Sequence, residues 1–259
     1  MHTHAFPDEI AARAMAKLEG EAPIRAVGRG TIADLLASMD RADVDISAVC
    51  AIATKPDQAE GILKWCRKIR SDRIEAMPSV HPDTPQAGRW VERFAKEGFR
   101  GIKLHPMYQE FAADERRMDD IYAAAAAAGL LVVAHCGKDI AFPPDDDRAA
   151  PARFARVVER FPRLRLLCTH LGGWESWDEV EQCLLGTQVY LETSFSLPTL
   201  GAGRSVELIR RHGVERVMFG SDWPWKPQDE EIRLIRGLGL SETDTRAILW
   251  SNAARLMGY

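Results

Sequence analysis

From Asp45 onward the chain keeps one rhythm: a short apolar or β-branched run, then an amphipathic helical segment. The interval is roughly 25 to 35 residues, the length of one βα unit. The runs predict strands at Ile46–Ile52, Ile74–Val80, Gly101–Leu104, Leu131–Ala134, Leu164–Thr169, Val189–Thr193 and Val217–Gly220. Helices fill the intervals. Asp57–Ile69 sets Ile62, Trp65, Cys66 and Ile69 on one face, and Val206–His212 stops at Gly213, as a helix C-cap does. Strands that are continuously apolar are buried on both faces, which implies a parallel sheet covered by helices. Seven strands and a stub at His2–His4 make eight. Eight such units in 259 residues predict one domain, residues 1–259, folded as an α/β (β/α)8 TIM barrel with a truncated first strand and a C-terminal helix. An open doubly wound sheet is the alternative, but no glycine-rich phosphate loop follows any strand: Gly28 and Gly30 have none behind them.

Charge narrows the partners. Lys and Arg total 34 against 38 Asp and Glu, a net charge of −4 with both signs interspersed. There is no basic stripe for nucleic acid and no polybasic anchor for a membrane. The stretch Ile121–Cys136 is short and broken by Gly129, so it reads as an Ala-rich helix followed by a buried strand rather than a span. No charged segment followed by an apolar one opens the chain, and no secretory leader is expected. Cys50, Cys66, Cys136, Cys168 and Cys183 are scattered and odd in number, which argues against a disulfide framework and for a cytoplasmic protein. The expected partner is a small-molecule substrate; self-association is left open.

The chemistry-bearing residues fall at strand ends. His2 and His4 stand at i and i+2, on one face of an extended segment. Lys103 and His105 close Gly-Ile-Lys-Leu-His-Pro, His135 closes Val-Val-Ala-His, His170 closes Leu-Cys-Thr-His, and Asp222 closes Phe-Gly-Ser-Asp. Each has a bland explanation. A histidine ending an apolar strand is often a hydrogen-bonded core side chain, and an aspartate before Trp-Pro suits a turn. A lysine inside an apolar strand is harder to dismiss, because a buried ammonium must be paired or neutralised. In a barrel these ends share one rim, so together they predict a metal site. His81, His105 and Trp223 are expected in the substrate pocket. Trp174, Trp177 and Trp225 could also wall it, while the tryptophans at 65, 90 and 250 are expected as core anchors.

These residues resemble the amidohydrolase superfamily, and within it the amidohydrolase-2 branch of metal-dependent TIM-barrel enzymes. The resemblance covers nearly the whole chain. It rests on His2-Thr-His4, on Gly-Ile-Lys103-Leu-His-Pro, on the lone His135 and His170, on Gly-Ser-Asp222-Trp-Pro and on the closing Ser251-Asn252-Ala253-Ala254-Arg255-Leu256. It implies that His2, His4, His135 and Asp222 hold a divalent ion, zinc first, with manganese or iron as alternatives. His170 would then act on the bound water, or bind a second ion in a two-metal enzyme. Lys103 would bridge two ions if carboxylated. The chain departs from the family pattern at its start, where only Met1 stands before His2 in place of an apolar strand and an acidic residue. A terminal stub is prone to fray and to hold its ligands loosely.

The first expectation for activity is hydrolysis of a small ester, lactone or amide. A metal-bound water with a pKa of about 7 would attack, Asp222 would carry its proton to the leaving group, and His170 would position the substrate oxygen. The alternative is non-oxidative decarboxylation, or hydration, of an unsaturated or aromatic acid. A third reading is a non-catalytic barrel whose metal site has decayed. Substrate choice is expected to lie in the loops Lys138–Ala150 and Ser194–Arg204.

Overall fold

The computed structural model describes residues 1–259. Strands β1 (Ser47–Cys50) and β2 (Ile74–Met77) pair in parallel, Ser47 opposite Ile74. Strands β3 (Gly101–Leu104), β4 (Leu131–Ala134), β5 (Arg165–Cys168), β6 (Tyr190–Glu192) and β7 (Val217–Met218) pair in parallel in chain order. Two seams join the sheets. At one, the Lys103 amide donates to the Pro78 carbonyl at 2.9 Å, and Ser79 Oγ donates to the Lys103 carbonyl at 2.8 Å. At the other, the His2–His4 stub bonds on both sides. The Thr3 amide donates to Ala48 O (3.0 Å) and Thr3 O accepts from Cys50 N (2.8 Å). Across the stub, His2 O accepts from Asp222 N (2.9 Å) and the His4 amide donates to Trp223 O (2.6 Å). Eight staves therefore close into a parallel (β/α)8 barrel.

The stub is tied down on both sides. Thr3 is buried and its hydroxyl adds a 2.8 Å bond to Ala48 O, so three residues suffice to bridge both neighbours. Strands β3 and β4 match their apolar runs, while β1, β2, β5, β6 and β7 end earlier than the runs suggest, because the ladder stops where the chain turns over the rim.

The interior obeys the two-residue period of strands. Ala48, Cys50, Met77, Leu131, Val133, Leu167 and Met218 point inward as one cluster, while Ile102, Leu104, Val132, Leu166 and Leu191 point outward into a larger core shared with the helices. Both faces are apolar, which hides the alternation in the sequence. It surfaces only where a polar residue takes an inward position, as Lys103 does on β3 and Glu192 on β6.

Helices α1 (Asp8–Glu21) and α2 (Ile32–Ala42) follow the stub. Thr31 caps α2, its hydroxyl accepting from Asp34 N at 3.2 Å. Then come α3 (Ala59–Ile69), α4 (Ala87–Lys96), α5 (Asp119–Ala128), α6 (Pro151–Arg160), α7 (Trp177–Cys183), α8 (Ser196–His212) and α9 (Gln228–Arg236). The expected C-terminal helix is α10 (Glu242–Arg246) and α11 (Asn252–Met257) around a π-helical turn. Helix α8 corrects the sequence reading, which left Ser194–Arg204 as a loop. It begins at Ser196, accepts Pro198 in its first turn, and breaks at Gly201, whose φ of 73° few other residues adopt. No helix is long and apolar enough to cross a membrane.

Candidate metal centre

The inward parity of the strands and the first residues beyond them deliver the site. His2 and His4 leave the stub on one face. Lys103 and His135 occupy inward positions on β3 and just past β4. His170 and Asp222 lie beyond β5 and β7 in left-handed backbone, with φ of 58° and 55°. For residues other than glycine that conformation costs on the order of 1–3 kcal/mol, and it turns both side chains back over the barrel mouth. The Trp177 indole N–H, 3.0 Å from His170 O, and the Trp225 amide, 3.0 Å from Asp222 O, help to hold it.

The hydrogen bonds fix the imidazoles. His2 Nδ1 lies 3.2 Å from Glu192 Oε1 and His4 Nδ1 lies 2.9 Å from Cys50 O. His135 Nε2 is 3.0 Å from Lys138 O, and His170 Nδ1 is 3.2 Å from Ser194 O. Carboxylates and carbonyls only accept, so each of these nitrogens carries a hydrogen, and in the neutral ring the other nitrogen is a lone pair. Those lone pairs face one another: His2 Nε2 and His4 Nε2 are 3.1 Å apart, and His135 Nδ1 and His170 Nε2 are 3.3 Å apart. Asp222 Oδ1 joins the first pair at 3.4 and 3.2 Å, buried and without a hydrogen-bond donor. Lys103 Nζ, 3.1 Å from His2 Nε2, can donate to that lone pair, but Asp222 Oδ1 is left without a donor, and acceptors at this spacing repel unless further positive charge sits among them. The donor atoms of His2, His4 and Asp222 all lie within 4.8 Å of one another. His135, expected as a fourth ligand, does not fall within that spacing: its donor atoms group with those of His105 and Asp139, and its Nδ1 meets His170 Nε2, whose ring centroid is 5.5 Å from that of His2.

Charge states agree. Burial holds the His2 and His135 imidazoles well below their ordinary pKa, as neutral ligands must be. Burial works against ionisation of Asp222, and positive charge at the His2 and His4 positions is what would hold its carboxyl below the usual carboxylate range; with the rings neutral, a bound cation would supply that charge. Lys103 is wholly buried, its pKa lowered by that burial, with Nζ 3.1 Å from His2 Nε2.

A cavity of about 800 Å³ opens over this floor. Trp174, Trp225, Phe195 and Tyr108 wall it, and His105 lies inside it, its ring stacked on His135 at 4.2 Å. Two pocket expectations fail. Trp223 is buried beneath the floor with Ala5, Leu35 and Val49, where a Cβ on Gly28 would lie 2.5 Å from the indole. His81 faces away from the cavity and accepts from Asp83 N at 3.1 Å. Trp65, expected as a core anchor, lines the cavity, and Trp250 is 41% exposed.

A family model described as amidohydrolase, of the second amidohydrolase type, matches residues 1–259. The chain belongs to the amidohydrolase-2 family. Among curated proteins it is similar to the gamma-resorcylate decarboxylase of Polaromonas sp. strain JS666, 25% identical over 39% of this chain. That match spans 36% of the decarboxylase's own length. Among solved structures, the 2,6-dihydroxybenzoate decarboxylase from Rhizobium superposes with a TM-score of 0.74 at 16% identity, covering 99% of this chain and 97% of that one. The 5-carboxyvanillate decarboxylase of Novosphingobium aromaticivorans, complexed with manganese and 4-hydroxy-3-methoxy-5-nitrobenzoic acid, gives 0.73 at 16% identity, covering 100% and 95%.

This amidohydrolase-2 site includes two carboxylates that the sequence reading missed. Glu192 is fully buried and accepts from His2 Nδ1, the His170 amide (2.9 Å), Ser194 Oγ (2.8 Å) and the Ser194 amide (2.8 Å). Gly220 makes room for it: a Cβ there would fall 1.7 Å from Glu192 Oε2. The available signal was a lone acid inside Val-Tyr-Leu-Glu-Thr, the counterpart of Lys103. Asp139 accepts from His105 Nε2 at 3.3 Å and gave no such signal, since it stands in a polar loop.

Proposed function

We propose that this amidohydrolase-2 protein, as one domain of residues 1–259, is a metal-dependent non-oxidative decarboxylase of an aromatic carboxylic acid. The observation that carries the reading is the trio of His2, His4 and Asp222, with Asp222 Oδ1 lacking a donor, at the bottom of an aromatic-walled cavity. The decarboxylase relatives supply the reaction class. Hydrolysis, the first expectation from the sequence, has no comparable support, and an intact set of lone pairs argues against a decayed site.

His2, His4, His135 and Asp222 would hold one divalent ion. Nitrogen and carboxylate donors suit zinc, manganese or iron, and the manganese in the Novosphingobium enzyme puts that metal beside zinc. The bound ion supplies positive charge that anchors the substrate carboxylate. Trp174 and Phe195, 5.7 Å apart edge to face, would hold the ring plane. In the reaction the bond between ring carbon and carboxyl carbon breaks, its electron pair stays on the ring carbon, that carbon takes a proton, and CO2 departs. Asp222 and His170 would hold and move that proton, His170 through the relay His170 Nδ1, Ser194 Oγ and Glu192. Lys103 would stay an unmodified amine in this one-ion site, and His105 would contact the substrate.

The experiment is a metal count followed by substrate assay. One divalent ion per chain and CO2 release from 2,6-dihydroxybenzoate or 5-carboxyvanillate support the proposal. Two ions, a Lys103 heavier by one CO2 in the intact-protein mass, and hydrolysis of esters, lactones or amides would overturn it in favour of a hydrolase.

A further inference from the structure

The cavity has a second region that a single substituted ring resting on the metal floor leaves empty. Outward from that floor its walls are Ile10 and Leu18 of α1, Ile24 just beyond it, Ile52 past β1, and Ile62 and Trp65 of α3. All six are at least partly exposed, Ile10 to 37%.

Ile10 and Leu18 of α1 line the cavity beside the residues that α1 buries, Ala11 and Met15, and Ile62 and Trp65 of α3 line it beside the buried Ala59, Leu63 and Cys66. On each helix the apolar face is wide enough to reach from the core to the cavity, so apolar side chains of two helices border the same opening. Lys55 and Asp57 stand exposed at the rim. The total volume lies in the upper part of the roughly 300–1,000 Å³ range of sites that enclose drug-sized ligands.

We propose that the substrate carries a long apolar substituent, an alkyl chain or a second aryl group, which lies against the α1 and α3 side chains that line the cavity while the acid-bearing ring sits over the metal floor. The position of the ring rests on the decarboxylase reading; the apolar chamber does not. Apolar tails of this kind gain affinity with every methylene removed from water, on the order of two- to fourfold each.

The test uses the full chain loaded with its metal and a series of 2,4-dihydroxy-6-alkylbenzoates from methyl to heptyl. Binding is read by quenching of tryptophan fluorescence, and turnover by CO2 release. The expected result is a Kd that falls two- to fourfold per added methylene in the wild type. In Leu18→Asp and Ile62→Asp, shown by circular dichroism to be folded, the dependence on chain length should flatten while the methyl compound binds as before. A length dependence without CO2 from any member sinks the decarboxylase reading and leaves the chamber standing. CO2 from the methyl compound with a flat Kd across the series overturns the chamber and leaves the decarboxylase. Failure of every member to bind, or a length dependence undiminished in both variants, also overturns the chamber.

Discussion

Two clusters of histidine and carboxylate sit side by side on the barrel floor, and they are built on opposite principles. In the first, His2 and His4 spend their N–H groups on Glu192 and Cys50 O, so the lone pairs that remain converge on an Asp222 oxygen that has no donor. In the second, His105 gives its Nε2 hydrogen directly to Asp139, 3.3 Å away, and stacks on His135. In the first cluster Lys103 Nζ reaches His2 Nε2 but Asp222 Oδ1 is left without a donor; the second satisfies its carboxylate from within. His105, whose pKa burial pushes down to about 4, is neutral at pH 7 like His2, so charge state does not separate the clusters. What separates them is where the N–H groups point. Histidines and a carboxylate in proximity are therefore not by themselves a metal site; the lone pairs must face one another.

The largest effect should come from Asp222→Asn, which would remove the only carboxylate of the proposed ligand set and the proposed proton carrier. Activity is expected to fall on the order of 10²–10⁴-fold, with metal content well below one per chain by elemental analysis. Full metal occupancy in that variant would break the distinction between the clusters. Next is Glu192→Gln. An amide can turn its NH2 toward His2 Nδ1 and so loses the strong acceptor that fixes the tautomer, and metal affinity should weaken roughly 10- to 100-fold. Competition with a chelator measures it, and an unchanged affinity would show that Glu192 serves packing alone.

Legibility of the sequence follows the same division. The βα rhythm gave the barrel and its strand ends because buried parallel strands are long uninterrupted apolar runs, and His2, His4, His135, His170 and Asp222 stand out against that background. Glu192 stands inside such a run as well, but a metal search keyed to histidines passes over an acid whose part is to orient one. Asp139 was hidden because a loop aspartate looks like any solvated turn residue. Trp223 and His81 were placed in the pocket by adjacency to strand ends; the left-handed backbone at Asp222 sends the next side chain beneath the floor, a turn that sequence does not reveal. Helix α1, which forms one wall of the outer chamber, precedes the regular βα rhythm, and only Ala11 and Met15 of its fourteen residues are buried.

A smaller effect should follow from Asp139→Ala. Removing Asp139 leaves the His105 Nε2 hydrogen without its acceptor, a loss of about 1–3 kcal/mol that thermal unfolding would register as a drop of several degrees. The metal count should remain that of the wild type. A variant that lost its metal as Asp222→Asn does would make Asp139 part of the ion's own environment, and the two clusters would have to be treated as one.

Glu231 supplies the control that the pair lacks, a buried carboxylate with no histidine beside it. It lies on α9, 2% exposed, with Oε2 lacking a hydrogen-bond partner. Burial pushes its pKa up to about 8, the opposite of the depressed values of Asp222 and Asp139. The sign follows from proton binding: above its ordinary value of 4.5 the unfolded chain releases the proton, while the folded chain keeps it until about pH 8. Folding stability associated with Glu231 is thus fully present below 4.5, declines as pH rises through that window, and levels off above it. Glu231→Gln removes the titration. Its Tm should match the wild type near pH 4.5 and exceed it near pH 8.5, by roughly 2–4 °C for each kcal/mol regained. Equal Tm at both pH values would mean that Glu231 already ionises in the folded protein, and that a buried carboxylate here needs no imidazole or cation to remain charged.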